Sequence, residues 1–143
     1  MSFYFLDDIA LADIAFEVEG QSLEDIFKES SQAFLHIQIN NPEDLRFIET
    51  LHIKKSHKEP DLLLYQFLQE LVYYKDVDRL LLVVKDILIE PREFEFKLSA
   101  TLQGEPLDPS RHDQRADVKA VTFHKLSVEK TDQGWHALVV VDV

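Results

Sequence analysis

Strict alternation marks the first clear element of the chain. Ile14, Phe16 and Val18 alternate with Asp13, Ala15, Glu17 and Glu19, the period of a half-buried strand, and Gly20 closes it. In that register Asp13 shares the face of Ala15 and Glu17, away from the apolar set, where it can reach solvent or a ligand. The period then changes. Ser22 and Asp25 have capping-box spacing, with Asp where Glu is usual. Leu23, Ile26, Phe27, Ser30 and Phe34 recur at helical intervals, and Asn40-Asn41-Pro42 ends the segment. Leu45 to Ile53 is strand-like but weakly patterned, with Phe47, Leu51 and Ile53 on one face and Glu49 interrupting it. Lys54 to Glu59 is expected as a polar loop. Pro60, tolerated at a first helical position, opens a second helix to Tyr74. Its apolar stripe is Leu64, Phe67, Leu68, Leu71 and Val72.

Val77-Asp78 separates that helix from Leu80 to Ile89, a run too apolar for an exposed strand and expected to pair centrally. Pro91 breaks it. Phe94, Phe96 and Leu98 then alternate with Glu93, Glu95 and Lys97 as the return strand of a hairpin. Gly104 to Asp117, with Pro106 and Pro109, is a polar excursion of the kind that carries function. Val118 to Val128 is another strand region, Thr131 to Gly134 a turn, and Trp135 to Asp142 pairs back as a second hairpin. The order β-α-β-α followed by four strands predicts an α+β fold. Two layers are expected, a largely antiparallel or mixed sheet with two main helices on one face. With no internal repeat, low-complexity tract or linker, residues 1–143 read as a single domain.

Composition narrows the function classes. Hydrophobic residues make up 45% of the chain, including ten Phe, four Tyr and one Trp, so a packed core is expected. The net charge of −12 argues against a nucleic-acid footprint, which needs clustered Lys and Arg. It suits cations or a basic protein partner, although solubility is its commonest meaning. The absence of cysteine excludes disulfides, thiolate metal sites and a Cys nucleophile. Met1 to Asp8 has neither a basic region nor a long apolar run, so no signal peptide is expected. No stretch approaches the ~20 apolar residues that cross a bilayer. A cytoplasmic location is the default.

The chemistry-bearing candidates lie at the chain's extremes. The sequence runs straight from the strand Trp135 to Val141 into Asp142-Val143. A side-chain carboxylate and the terminal carboxylate, one residue apart on a rigid support, make half of a divalent-cation site. In a strand Asp142 shares a face with Leu138 and Val140, opposite Val139, Val141 and Val143. A carboxylate there is costly unless hydrogen-bonded, paired or metal-bound, and the competing reading is an exposed strand end. Asp13 stands between the same two readings. Lys119, alternating with Val121 and Phe123, could neutralise a carboxylate cluster or grip a phosphate, and the commoner role of such a Lys is a solvated strand end.

Other motifs are weaker. The six histidines form no metal motif. His36 suits a helix end, His52 and His57 are poorly spaced, His112-Asp113 reads as surface, and His124 and His136 read as strand residues packed across the sheet. There is no Gly-x-Ser-x-Gly elbow, and three glycines supply no phosphate-cradling loop.

Three segments together resemble the archease family. One runs from Phe5 through Asp7, Asp8 and Asp13 to Phe16, with Gly20 and Ser22-Leu23-Glu24 after it. The second is Gly104-Glu105, Arg111-His112 and Val118-Lys119-Ala120-Val121-Thr122-Phe123-His124. The third is Gly134-Trp135 leading to Val141-Asp142-Val143. Pro60-Asp61-Leu62-Leu63 also fits. One departure stands out: the family pattern has His-Thr-Ala-Asp before the first strand, whereas this chain has Ala10-Leu11-Ala12-Asp13. The Asp is kept and the His is not.

The resemblance implies a non-enzymatic cofactor of a GTP-dependent RNA-splicing ligase, promoting its guanylylation and multiple turnover. It implies a divalent-cation site, calcium first and magnesium or manganese as other hard cations, with Asp13, Asp142 and Val143 as ligands. It matches Lys119 to a lysine implicated in ligase activation. The expected partner is that ligase, with no direct nucleic-acid or membrane binding. About three negative charges would then converge, which needs a cation or strong hydrogen bonding. A general protein-binding module or chaperone, and a small metal-dependent hydrolase, are the competing classes.

Overall fold

A computed structural model of the chain describes residues 1–6 and 13–143. Among them lie two long helices, α1 (Leu23–Gln38) and α2 (Pro60–Asp78), and eight strands. The strands are β1 (Ser2–Leu6), β2 (Asp13–Gly20), β3 (Glu49–His57), β4 (Leu80–Pro91), β5 (Phe96–Pro106), β6 (Ala120–Val121), β7 (Ser127–Thr131) and β8 (Gly134–Asp142). The α+β class and the antiparallel pairing match the expectation from the strand-rich second half. The strands part into two sheets. One has the order β1-β2-β8-β6, with β7 also pairing β8, and the other has the order β3-β5-β4.

One main core joins both sheets to both helices. Phe16, Val18, Val139 and Val141 reach it from the first sheet, Leu98 and Leu102 from the second, and Phe27, Phe34, Leu64 and Phe67 from the helices. Each such side chain stabilises the fold by roughly 1.5–3 kcal/mol through burial. Phe27 of α1 and Phe67 of α2 meet with ring centroids 5.4 Å apart, so the two helices lock to each other as well as to the sheets. α1 starts where the spacing placed it. Ser22 Oγ accepts from the Asp25 amide at 3.1 Å, and Asp25 Oδ2 accepts from the Ser22 amide at 3.2 Å. Two otherwise orphaned amides are thereby satisfied.

The apolar run Leu80 to Ile89 is not central, contrary to the sequence reading. β4 is an edge strand, and α1 covers that edge. The Val84 amide donates to Ser31 Oγ at 3.1 Å, and the Ile89 amide to Glu24 Oε2 at 3.1 Å. Side chains of the helix thus occupy donors that an edge would leave open. β4 buries apolar residues on both faces, and a bulge between Val84 and Asp86 shifts the register partway along. Leu80, Leu82 and Val84 face the main core, and after the shift Ile87 and Ile89 do so too. Leu81 and Val83 face the other way, into a smaller cluster with Leu35, Ile39 and Leu45. Gly104 permits this sheet to close, because a Cβ there would lie 1.8 Å from the Leu81 carbonyl oxygen.

Several boundaries differ from expectation. β3 begins at Glu49, leaving Phe47 and Ile48 exposed, and it continues through the supposed loop to His57 because Lys54 to His57 pair with Phe96 to Ser99. α2 runs on through Val77-Asp78 and ends at Arg79 in the left-handed region (φ 57°). Phe94 is 80% exposed in the hairpin turn rather than in a strand. Gly104 to Pro106 belong to β5, so the polar excursion starts later. Of Val118 to Val128, only Ala120–Val121 pairs as β6 before the chain turns into β7. β1 had no counterpart in the sequence reading.

Truncating Phe27 to Ala should remove the α1–α2 ring contact and lower stability by about 3–5 kcal/mol. A urea unfolding curve is the measurement, and a midpoint matching wild type would contradict this account of the core.

Candidate functional site

The β2–β8 ladder sets the geometry. Ile14 pairs with Val141, Phe16 with Val139 and Val18 with Ala137, and the same register brings Asp13 directly opposite Asp142. Directly opposite residues hold their Cβ atoms ~4.5–5.5 Å apart, and like charges so placed repel. Both aspartates are half-buried. On its other side Asp142 is opposite Ala120. The Lys119 amide donates to the Asp142 carbonyl oxygen at 2.8 Å. Lys119 therefore adjoins the acid pair through its backbone, and its side chain is exposed. Val143 follows Asp142 and packs against the main core. Four positions singled out from sequence thus meet at one end of one sheet.

The donor set is hard oxygen only, which fits a calcium- or magnesium-like cation and not zinc. It is also incomplete by itself. Among the described residues no group of three or more His, Asp or Glu side chains is arranged to hold a metal ion. The Ala10-Leu11-Ala12 segment that departs from the family pattern lies outside the described residues. Acidity extends along the same face of β2. Glu17 lies 3.6 Å from His136 Nε2, and its carboxylate, hydrogen-bonded to the Tyr4 phenol, pushes that phenol up to about 12.

A second polar cluster escaped the sequence reading. His112 was expected at the surface and is 2% exposed, as is Glu105. His112 Nδ1 accepts from the Asp108 amide at 2.8 Å, so the ring proton is assigned to Nε2, which donates to Glu105 Oε2 at 3.0 Å. Arg111 pairs with the other Glu105 oxygen, and the Arg46 amide donates to Oε2 at 2.7 Å. Asn41 joins in, its amide group donating to the Arg111 carbonyl and its Oδ1 accepting from the Asp113 amide. The cluster staples the chain after α1 to the loop that leads to Lys119. The signal in the sequence was the seven-residue spacing of a Glu and a His around two prolines, which carries no specificity. His124, read as a strand residue, lies in an exposed turn.

The archease protein family (MTH1598/TM1083) matches residues 3–143. This chain belongs to the archease family. Protein archease of Pyrococcus abyssi is 34% identical over 133 residues, which is 92% of this chain and 93% of that protein. Protein archease of Archaeoglobus fulgidus is 33% identical over 144 residues and is covered in full, as is this chain. The solution structure of Methanobacterium thermoautotrophicum protein 1598 superposes with a TM-score of 0.84 at 27% identity, covering 99% of each chain. A Thermotoga maritima archease described as a possible chaperone has the same fold, with a TM-score of 0.57 at 19% identity over 98% of each chain. Glu105, Arg111 and His112, which carry part of the resemblance, build the buried cluster. No helix among the described residues is long and apolar enough to cross a membrane.

The cluster predicts an acid dependence. Burial pushes the Glu105 carboxyl up, but hydrogen bonds from the Arg46 amide, His112 and Arg111 outweigh it and hold it below its ordinary value of 4.5. A depressed folded value stabilises the fold above that ordinary value, and the contribution is lost as pH falls through the folded value. Glu105→Gln should cost roughly 1–3 kcal/mol at neutral pH. Its thermal unfolding should fall less steeply between neutral pH and acid than that of wild type. Parallel pH profiles would remove Glu105 from the account.

Proposed function

We propose that this archease activates a GTP-dependent RNA-splicing ligase in the cytoplasm without catalysing a reaction itself, promoting guanylylation and repeated turnover of that enzyme. The observation that carries the reading is the in-register pairing of Asp13 with Asp142, with the Lys119 amide bonded to the Asp142 carbonyl. An acid pair enforced by core packing is repulsive unless something positive meets it. Asp13 and Asp142 would hold a divalent cation, with calcium the first candidate, and Val143 would add a further oxygen. When bound, such an ion supplies Lewis acidity and open positions for oxygen ligands. Two carboxylates leave most of a six- to eight-fold shell to water, phosphate or a partner's groups. The site therefore suits presentation of an ion to another protein better than enclosure of one. Lys119 brings a positive charge to the edge of the same site, where it can offset the acid pair or meet a phosphate.

A general chaperone is the second reading, supported by the exposure of Phe47, Ile48 and Phe94 at 60%, 66% and 80%. Those side chains lie on loops of the other sheet, β3-β5-β4, and not on the sheet that carries the acid pair. They would leave the cost of that pairing without a purpose.

Alanine at Asp13 or Asp142 should weaken calcium binding by more than about a hundredfold in calorimetry, exceeding the effect of losing an outer-shell partner. Each should also remove stimulation of ligase guanylylation. Wild-type stimulation by Asp142→Ala would overturn the proposal, as would unchanged calcium affinity in both variants. Restored stability at neutral pH in those variants, read as a higher unfolding temperature without metal, would confirm the cost of the pair.

A further inference from the structure

The chain leaving β6 displays a large apolar ring that the acid pair does not explain. Phe123 is 64% exposed, and its ring stacks on Tyr65 of α2 with centroids 4.3 Å apart and planes at 26°. A lone exposed apolar residue is ordinary. This one is held from several directions. The Thr122 amide and hydroxyl both donate to the Val140 carbonyl oxygen, at 3.0 and 2.9 Å. The Val121 amide donates to Gln69 Oε1 at 2.8 Å, tying the strand to α2. The Leu126 amide closes the turn on the Phe123 carbonyl oxygen at 3.3 Å. Lys125 in that turn sits at φ 54°, a left-handed conformation that Gly or Asn would adopt more easily. Such a local cost persists only where the surroundings over-determine it, and it clusters at working surfaces.

The flanks narrow the occupant. Lys119, His124 and Lys125 are all exposed around the ring, in a chain whose net charge is −12. Asp142, opposite Ala120, lies at the start of the same segment. A polyanion drawn to the lysines would meet the acid pair, whereas a surface of both signs around an apolar centre is the pattern of protein–protein recognition. Pre-stacking on Tyr65 removes rotamer freedom before contact, so little ordering remains for binding to impose.

We propose that Phe123 is the docking anchor for the ligase partner. Its ring enters an apolar socket on the partner's surface, and acidic side chains rimming that socket meet Lys119 and Lys125. The inference rests on the reading of this chain as a ligase activator and adds the residue that carries the contact.

Fluorescence titration of the full chain against the purified ligase tests it, with calcium calorimetry and an unfolding curve on the same samples. Phe123→Ala should weaken the complex about tenfold or more, the scale of an interface hot spot. It should leave calcium affinity and the unfolding midpoint near wild type, and Phe123→Tyr should restore tight binding. Wild-type affinity for the ligase in Phe123→Ala would overturn the anchor alone. So would a loss seen only with a single-stranded RNA oligonucleotide, which would make the ring a base platform. Failure of the wild-type chain to bind the ligase would overturn the activator reading and the anchor with it.

Discussion

The register of β2 against β8 governs the rest of the molecule. Side chains in a strand alternate with period two, so a slip of one residue would turn every core side chain outward. Phe16, Val18, Val139 and Val141 all belong to the main core, and their burial fixes which residues stand opposite. Asp13 opposite Asp142 is a consequence of that register. Hydrophobic burial of several side chains, each worth on the order of 1.5–3 kcal/mol, easily imposes a like-charge contact costing less than about 1 kcal/mol. The acid pair is thus held by the strongest force in the domain, and it cannot relax by sliding.

The other components of the site are placed through a longer chain of contacts. α1 caps the open edge of β4, which lets a strand apolar on both faces survive at the margin of a sheet. The chain that leaves α1 is then stapled by Glu105, Arg111 and His112 to the loop after β5. From there the Arg115 amide bonds the Gln38 carbonyl, Lys75 of α2 pairs with Asp117, and the Lys119 amide reaches Asp142. Each of these links is a main-chain or charge-assisted bond, and burial of Val118 in the main core adds packing to them on the approach to Lys119. A loop so tied has less freedom than its polar composition suggests.

What the sequence made legible follows the same division. Alternation found β2 because one face of it is core, and it put Asp13 on the outward set; β8 showed as a continuous apolar run, with Asp142 on the face of Leu138 and Val140. The capping box gave the start of α1, since Ser22 and Asp25 act locally. The position of β4 was misread because periodicity reports burial and not neighbours. The bulge at Lys85 and the edge cover by α1 are tertiary facts with no local signature. β3 was shifted because Lys54 to His57 owe their extended form to pairing with β5, against a polar composition. His112 was misplaced because a buried His needs a buried partner, and nothing nearby identifies Glu105 as that partner. The convergence of Asp13, Lys119 and Asp142 was reached through family resemblance, since sequence separation alone carries no distance.

Because the two carboxylates are far apart in the unfolded chain, their repulsion belongs to the folded state only. Any cation that binds the folded pair therefore stabilises the fold by mass action, and the gain grows with its concentration over its dissociation constant. Stability and ligand binding are then one equilibrium seen from two sides. The proposed partner would enter at the same point. An ion held by two carboxylates would keep coordination positions open, and the exposed Phe123 ring on its pinned turn would supply contact area that an ion alone lacks.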